Sequence, residues 1–255
     1  MIKRELYMSR IRPFVGNELI KVLTGIRRSG KSVMLELIKE ELIASGISKD
    51  SFISINFENM SYVHLCTAKA LHDEILKKAA DIEGKVYLFF DEIQEVTDWE
   101  KCINSFRVEL DCDIYITGSN AKLLSGELAT YLGGRYVEFV IYPFSFGEFC
   151  DLYSSIDPKA SPAQCFQKYL ISGGMPYLGN LRYEEEPSRQ YLVDVYNSVV
   201  LKDVVKRNNI RDVDLLERIV AYVMANVGTT FSATSLVKYF RSEQRTVAAE
   251  TILNY

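Results

Sequence analysis

The sequence predicts an α/β protein in which a five-stranded parallel sheet lies between two layers of helices, followed by a helical part. Three observations lead to this fold class. Five short segments with strand patterns occur before Pro143, segments with helical spacing alternate with them, and a glycine-containing octapeptide at residues 25–32 joins the first strand to the next helix. Strands that alternate with helices are typical of a three-layer domain with a parallel sheet, whose ligands bind at the carboxyl ends of the strands.

The octapeptide Gly25-Ile26-Arg27-Arg28-Ser29-Gly30-Lys31-Ser32 fits the pattern G-x-x-x-x-G-K-[ST] of phosphate-binding loops, or P-loops. Its glycines let the backbone curl so that several N–H groups point inward, and the helix that follows offers unpaired N–H groups to an anion. In this pattern Lys31 reaches the β and γ phosphates of ATP, and the Ser32 hydroxyl binds Mg²⁺. The predicted nucleotide-binding residues are Gly25, Arg27, Arg28, Ser29, Gly30, Lys31 and Ser32. The two arginines either contact phosphate or remain solvated.

The segments on either side of the octapeptide have the patterns that a P-loop requires. Residues 1–18 predict a lead-in helix that ends near Pro13 and Gly16, and residues 19–24 form a short apolar run suited to a buried strand. From residue 33 onward, apolar side chains recur among Glu and Lys residues as in an amphipathic helix. Strand, glycine loop and helix are the context in which such a match is meaningful.

The other strands and helices of this domain follow in alternation. Four further strands are predicted at residues 51–57, 86–90, 114–117 and 136–142. Helices are predicted between them at residues 65–80, 99–110 and 121–132. The strand at residues 86–90 is apolar on both faces, which predicts a central place in a sheet covered by helices on both sides.

Two adjacent carboxylates, Asp91 and Glu92, follow that central strand directly. An aspartate there can hold the water shell of Mg²⁺ opposite Ser32, and a second carboxylate can polarise a water molecule for attack on the γ phosphate. The other interpretation is an exposed acidic turn, and the P-loop upstream favours the catalytic one. We therefore predict Ser32 and Asp91 as metal ligands, and Lys31 and Glu92 as catalytic residues.

Polar side chains near the fourth and fifth strands complete the predicted catalytic set. Ser119 and Asn120 could orient the attacking water or contact the γ phosphate, and we favour them over Thr117, which the pattern places inside the strand. The alternative is a polar turn. Arg135, directly before the fifth strand, could be an arginine finger supplied to a neighbouring subunit, or it could form a structural ion pair.

Beyond Pro143 the patterns are helical, and residues 173–176 (Gly-Gly-Met-Pro) interrupt them. The sequence predicts three domains: an ATPase core at residues 1–150, a helical lid-like subdomain at 151–212 and a winged-helix-like segment at 213–255. The last segment has helix-turn-helix proportions. Because the chain ends inside its last helical pattern without a stop signal, we expect the segment to be part of a longer protein.

Composition restricts the function classes. Of the 255 residues 48% are hydrophobic and 25% are charged, which is typical of a soluble globular protein. The formal net charge of −4 argues against a globally basic nucleic-acid binder. No apolar run is long enough to span a membrane, and the five cysteines form no C-x-x-C pair. These features predict a cytoplasmic protein with reduced thiols and no membrane partner.

Four stretches resemble the AAA+ branch of the P-loop ATPases: GIRRSGKS, VYLFFDEIQEVTDWE, IYITGSN and LGGRYVEFVIYPFSFGEF. More narrowly, the chain resembles bacterial and archaeal predicted ATPases in which a helical part with GGMP and a winged-helix-like segment follow the AAA domain. In that family an uncharacterised C-terminal domain usually comes next. The resemblance implies that the fourth strand lies between the first and the third. It also implies nucleotide binding at Gly30, Lys31 and Ser32, with Asp91 and Glu92 as the metal and water carboxylates.

These observations lead to one favoured function and two alternatives. The favoured one is an ATP-hydrolysing switch or motor with ATP and Mg²⁺ as cofactors, which could act as a homo-oligomer. The first alternative is a nucleic-acid-binding regulator in which nucleotide sets the conformation, with Arg241, Arg245 and Thr246 facing phosphates or bases; the same segment could instead bind a protein. The second is a small-molecule kinase, for which the sequence offers neither an acceptor pocket nor an arginine-rich lid.

Overall fold

The computed structural model describes residues 2–118, 132–205, 210–230 and 232–254. The chain divides into two compact units, Met1–Leu192 and Val193–Tyr255. The helix predicted at residues 121–132 lies, except for its last residue, outside the described residues. The domain boundaries predicted after residues 150 and 212 stay predictions.

The first unit is built on a five-stranded sheet. Its strands are β1 (Ile20–Thr24), β2 (Phe52–Asn56), β3 (Val86–Asp91), β4 (Cys112–Thr117) and β5 (Tyr136–Val140). The spatial order is β2-β3-β4-β1-β5, and every neighbouring pair is parallel. The predicted α/β class with a parallel five-stranded sheet is therefore confirmed, as is the position of the fourth strand between the first and the third.

Helices cover both faces of this sheet. Those of the first unit are α1 (Glu5–Ile11), α2 (Lys31–Ala44), α3 (Ala68–Ala79), α4 (Trp99–Glu109), α5 (Phe146–Ile156), α6 (Pro162–Ser172) and α7 (Glu185–Tyr196), the last of which crosses the boundary between the units. α7 continues as a π-helix over Asn197–Val204.

Two hydrophobic clusters hold the three layers together. On one face, Leu71 of α3 and Phe106 of α4 pack with the side chains of Leu88 and Phe90. On the other face, side chains of α1 and α2 pack with Phe89. Because both faces are covered, all six residues of β3 are buried, as expected for a central strand.

The register of the strands brings their carboxyl ends to one edge of the sheet. Asn56 of β2 pairs with Asp91 of β3, and Thr117 of β4 pairs with Leu23 of β1. β1 ends at Thr24, directly before the P-loop. Polar residues that are far apart in the sequence therefore end their strands side by side, next to the start of α2.

In the part of the second unit that the structure describes, the α-helices after the π-helix are α8 (Val213–Ala225), α9 (Ala233–Ser242) and α10 (Ala249–Leu253). Leu215, Leu236, Phe240 and Ile252 form its small core. Among the helices that the structure describes, none is both long and apolar enough to cross a membrane.

Candidate active site

The two glycines of the P-loop are needed for different reasons. Gly30 forms the N-cap of α2 with φ 99°, a left-handed conformation that glycine adopts without strain. A Cβ atom at Gly25 would instead collide with the backbone carbonyl oxygen of Ile141. The P-loop pattern predicts for both glycines a role in the approach of phosphate. For Gly25 the structure adds a packing reason, since the chain after β5 occupies the space of the missing side chain.

Lys31 lies in the first turn of α2 and is 4% exposed. Its Nζ donates to the carbonyl oxygens of Gly25 and Ile26, at 3.2 Å each, and lies 3.9 Å from Oε1 of Glu92. Burial lowers the pKa of Lys31 from its ordinary value, and the negative charges of Glu92 and Asp91 oppose this effect. The structure thus brings together the predicted lysine and the predicted carboxylates, although 60 positions separate Lys31 from Asp91 in the sequence.

Asp91 is oriented by two neutral donors from the neighbouring strands. The Thr117 hydroxyl donates to Oδ1, and the Asn56 side-chain amide donates to Oδ2 at 3.2 Å. The residue is 6% exposed. Neither of these two donors carries a charge.

At Glu92 the backbone turns away from the direction of β3. Its φ of 55° is left-handed, which is uncommon for a residue other than glycine and often occurs at functional sites. The Glu92 N–H donates to the Thr117 hydroxyl at 3.0 Å, and the side-chain amide of Gln94 donates to Oε2. Asp91 therefore ends the strand while Glu92 begins a turn, so that two adjacent carboxylates occupy different environments.

Thr117 is the site residue that sequence reasoning set aside. It is the last residue of β4 and is fully buried, and its hydroxyl contacts both Asp91 and Glu92. The signal was available, since Thr117 is the last polar residue of a strand, as Asp91 is. Ser119 and Asn120, which the sequence argument preferred, lie outside the described residues, and their roles stay predictions.

The remaining predicted P-loop residues occupy both surface and interior positions. Ser32 is exposed at the second position of α2, and Ser29 is fully buried. Arg27 and Arg28 are exposed. The guanidinium of Arg28 stacks over the ring of Tyr191 at 5.3 Å. Their predicted contacts with nucleotide are not tested by these positions.

Arg135 lies at the amino ends of the strands, whereas Lys31 lies near their carboxyl ends. It is exposed directly before β5, and its carbonyl oxygen accepts from the N–H of Ile20 at the start of β1, at 3.0 Å. Five strand residues, at about 3.3 Å each, separate that point from the P-loop. Arg135 therefore cannot serve the site of its own chain, and its service to a neighbouring subunit stays a prediction.

Arg245 of the helix-turn-helix-like segment, which was predicted to face phosphates or bases, forms ion pairs in the structure. Arg245 pairs with Asp212 at 2.6 Å and also with Asp214. Arg241 and Thr246 are exposed. The guanidinium of Arg245 thus already has acidic partners within its own unit.

Residues 17–150 match a family described as AAA domain, and residues 163–253 match a domain of unknown function. An uncharacterised protein of Haemophilus influenzae is 35% identical over 256 residues, which cover 100% of this chain and 63% of that protein. An uncharacterised protein of Methanocaldococcus jannaschii is 33% identical over 248 residues, which cover 92% and 53%. The chain therefore spans less than two thirds of either relative.

Among solved structures, the fold is similar to AMPPCP-bound DnaA from Aquifex aeolicus, with a TM-score of 0.47 and 11% sequence identity. The alignment covers 90% of this chain and 71% of that one.

Proposed function

The chain belongs to the AAA domain family, and on that premise we propose that it binds ATP with Mg²⁺ at the P-loop and hydrolyses it as a switch or motor. The observation that carries the proposal is the position of Lys31, whose ammonium lies 3.9 Å from Glu92 at the carboxyl edge of the sheet. An ammonium group, the N-terminus of a helix and a pair of carboxylates at one place form the set of groups that phosphoryl transfer to water requires.

The residues at this edge fit ATP and Mg²⁺ by their chemistry. Ser32 and Asp91 supply the hydroxyl and carboxylate oxygens that Mg²⁺ prefers, and they would hold it together with phosphate oxygens. Bound Mg²⁺ would neutralise charge on those phosphate oxygens. The two donors to Asp91, Thr117 and Asn56, are neutral and would not repel a cation.

Hydrolysis joins a water oxygen to the γ phosphorus and breaks the bond between that phosphorus and the β–γ bridging oxygen, which leaves with ADP. In our proposal Glu92 accepts a hydrogen bond from the attacking water, orients it and takes up the proton that the water loses. Lys31 neutralises negative charge on the β and γ phosphates. Thr117 fixes Asp91 and the turn at Glu92 relative to each other.

The output of this ATPase is a further part of the proposal. Arg135 would complete the site of a neighbouring subunit in a homo-oligomer, because the length of β1 separates it from the site of its own chain. For the helix-turn-helix-like segment we favour a protein partner over DNA. The pairing of Arg245 with two aspartates and the net charge of −4 both weigh against binding to phosphates.

ATP binding by Lys31→Ala tests the proposal. We expect the variant to lose about 100-fold or more in affinity for a fluorescent ATP analogue in the presence of Mg²⁺, because charge-assisted hydrogen bonds to phosphate are lost. Lys39→Ala is the matched control: Lys39 lies on the same helix, where it pairs with Glu36 at 2.8 Å. Equal affinity of the Lys31 variant and the parent would contradict the proposal. Phosphate transfer to a specific metabolite rather than to water would favour a kinase.

A further inference from the structure

A buried arginine outside the predicted site contacts the P-loop. Arg4 precedes α1 and is 2% exposed. Its Nη1 donates to the carbonyl oxygen of Ser29 at 2.9 Å, and its Nη2 donates to the carbonyl oxygen of Tyr142 at 2.8 Å. Its Nε donates to Oε1 of Glu148 at 2.9 Å in a buried ion pair. One side chain thus ties the N-terminal segment, the P-loop and the start of α5 together.

The surroundings hold the guanidinium in one orientation. It stacks over the rings of Tyr7 at 4.7 Å and Phe144 at 5.1 Å. Glu148 itself is fixed as the third helical residue of α5, where it forms a capping box with Ser145. The Arg4 backbone has φ 49°, a left-handed conformation that costs energy for a residue other than glycine. This strain is compensated by the contacts of the side chain.

The contact with Ser29 has a consequence for the peptide bond that follows it. A trans peptide unit is planar, so the C=O of Ser29 and the N–H of Gly30 point in opposite directions. Arg4 draws the carbonyl oxygen toward itself, and the Gly30 N–H therefore faces away from Arg4. A flipped peptide would turn the Ser29 oxygen away from the guanidinium and would lose a charge-assisted hydrogen bond.

We propose that Arg4 is a positioning residue that presets the Ser29–Gly30 peptide of the P-loop for phosphate binding. The inference rests on the proposed ATPase function and adds a residue to its machinery. Without Arg4 the peptide samples both orientations, and the orientation that binds phosphate is populated only in part. The apparent affinity for ATP falls by that fraction.

Two variants separate positioning from support of the fold. Arg4→Lys keeps a positive charge beside Glu148, but a single ammonium cannot reach its carboxylate, Ser29 and Tyr142 together. Glu148→Gln removes the ion pair but leaves the donor to Ser29 in place. Arg12→Lys is the matched control on the same segment, since Arg12 bridges Glu5 and Glu41 at the surface. Urea unfolding gives the stability of each variant, and calorimetric titration with ATP and Mg²⁺ gives the affinity.

We expect Arg4→Lys to weaken ATP binding about tenfold, the loss of one charge-assisted hydrogen bond. Glu148→Gln should change ATP affinity by less than about threefold, even if it lowers the unfolding free energy as much as Arg4→Lys does. Arg12→Lys should change neither the ATP affinity nor the unfolding free energy. The double variant Arg4→Gln/Glu148→Gln replaces the ion pair with a neutral pair. It should fold without an unpaired buried charge and lose the same affinity as Arg4→Lys.

The inference is overturned if Arg4→Lys and the double variant bind ATP as tightly as the parent. It is also overturned if Glu148→Gln loses as much affinity as Arg4→Lys, because the role of Arg4 would then be structural only. A parent protein that does not bind ATP overturns the proposed function and this inference with it. A parent that binds ATP, with Lys31→Ala defective and Arg4→Lys normal, overturns this inference alone.

Discussion

Replacement of Thr117 by valine removes one hydroxyl and keeps the shape of the side chain. That hydroxyl donates to Asp91 and accepts from the N–H of Glu92, and Thr117 is fully buried. In Thr117→Val, one carboxylate oxygen and one peptide N–H lose their partners. The Asp91 carboxylate and the turn at Glu92 then lose their side-chain link to β4.

The magnitude follows from those two lost partners. A buried polar group left unsatisfied costs about 1–3 kcal/mol. The Asp91 carboxylate keeps its bond with Asn56 on the other oxygen, so we take the lower part of this range and expect Thr117→Val to lose about 2–4 kcal/mol of unfolding free energy. Thr117→Ser keeps the hydroxyl and loses a methyl group, which costs about 1 kcal/mol.

The assay is urea unfolding followed by the fluorescence of Trp99, the single tryptophan, which begins α4 and is 7% exposed. ATP hydrolysis by the same samples should fall more than ATP affinity in Thr117→Val and should be largely retained in Thr117→Ser. Equal stabilities for the valine and serine variants would refute the assigned hydrogen bonds.

Two further predictions concern the segment after β5. A Cβ at Gly174 would collide with the carbonyl oxygen of Phe144, so Gly174→Ala should lower the unfolding free energy by about 1–3 kcal/mol. Gly147 lies in a helix with open space around it, so Gly147→Ala should raise the unfolding free energy by about 0.5–1 kcal/mol. Urea titration compares the two variants. Burial raises the pKa of Glu148, but the hydrogen bond from Arg4 and a backbone N–H outweigh it, so the pKa lies below its ordinary value of 4.5. A depressed carboxyl pKa contributes stability at pH above 4.5 that is lost as the pH falls below 4.5 and through the folded pKa, so the parent should lose stability over that acid range, and Glu148→Gln should lack that part of the slope.

The fold could be predicted from the sequence because its signals are local. The run at residues 86–90 is apolar at every position, and the P-loop pattern fixes a strand before it and a helix after it. The order of the strands is not a local property, since the register of Thr117 with Leu23 depends on contacts between residues 94 positions apart. That order came from the resemblance alone.

The site could be predicted in part for the same reason. The role of Lys31 could be predicted from the P-loop pattern around it. The roles of Asp91 and Glu92 could be predicted from the apolar strand that they follow directly. Arg4 has no such pattern, because its acceptors are backbone carbonyls and a carboxylate 144 positions away. Thr117 was set aside because the pattern places it inside the strand, where it does lie; its contacts join it to Glu92 and Asp91, 25 and 26 positions away, and no local pattern records them.

Hydrolysis of ATP by Glu92→Gln, measured at saturating ATP alongside the affinity of the same variant, tests the account most directly. The substitution keeps the shape of the side chain and removes the charge that orients the attacking water. We expect turnover lower by about 100-fold or more, with ATP bound at least as tightly as by the parent because a negative charge near the phosphates is gone. Turnover at the parental rate would contradict the assignment of Glu92 and the reaction built on it.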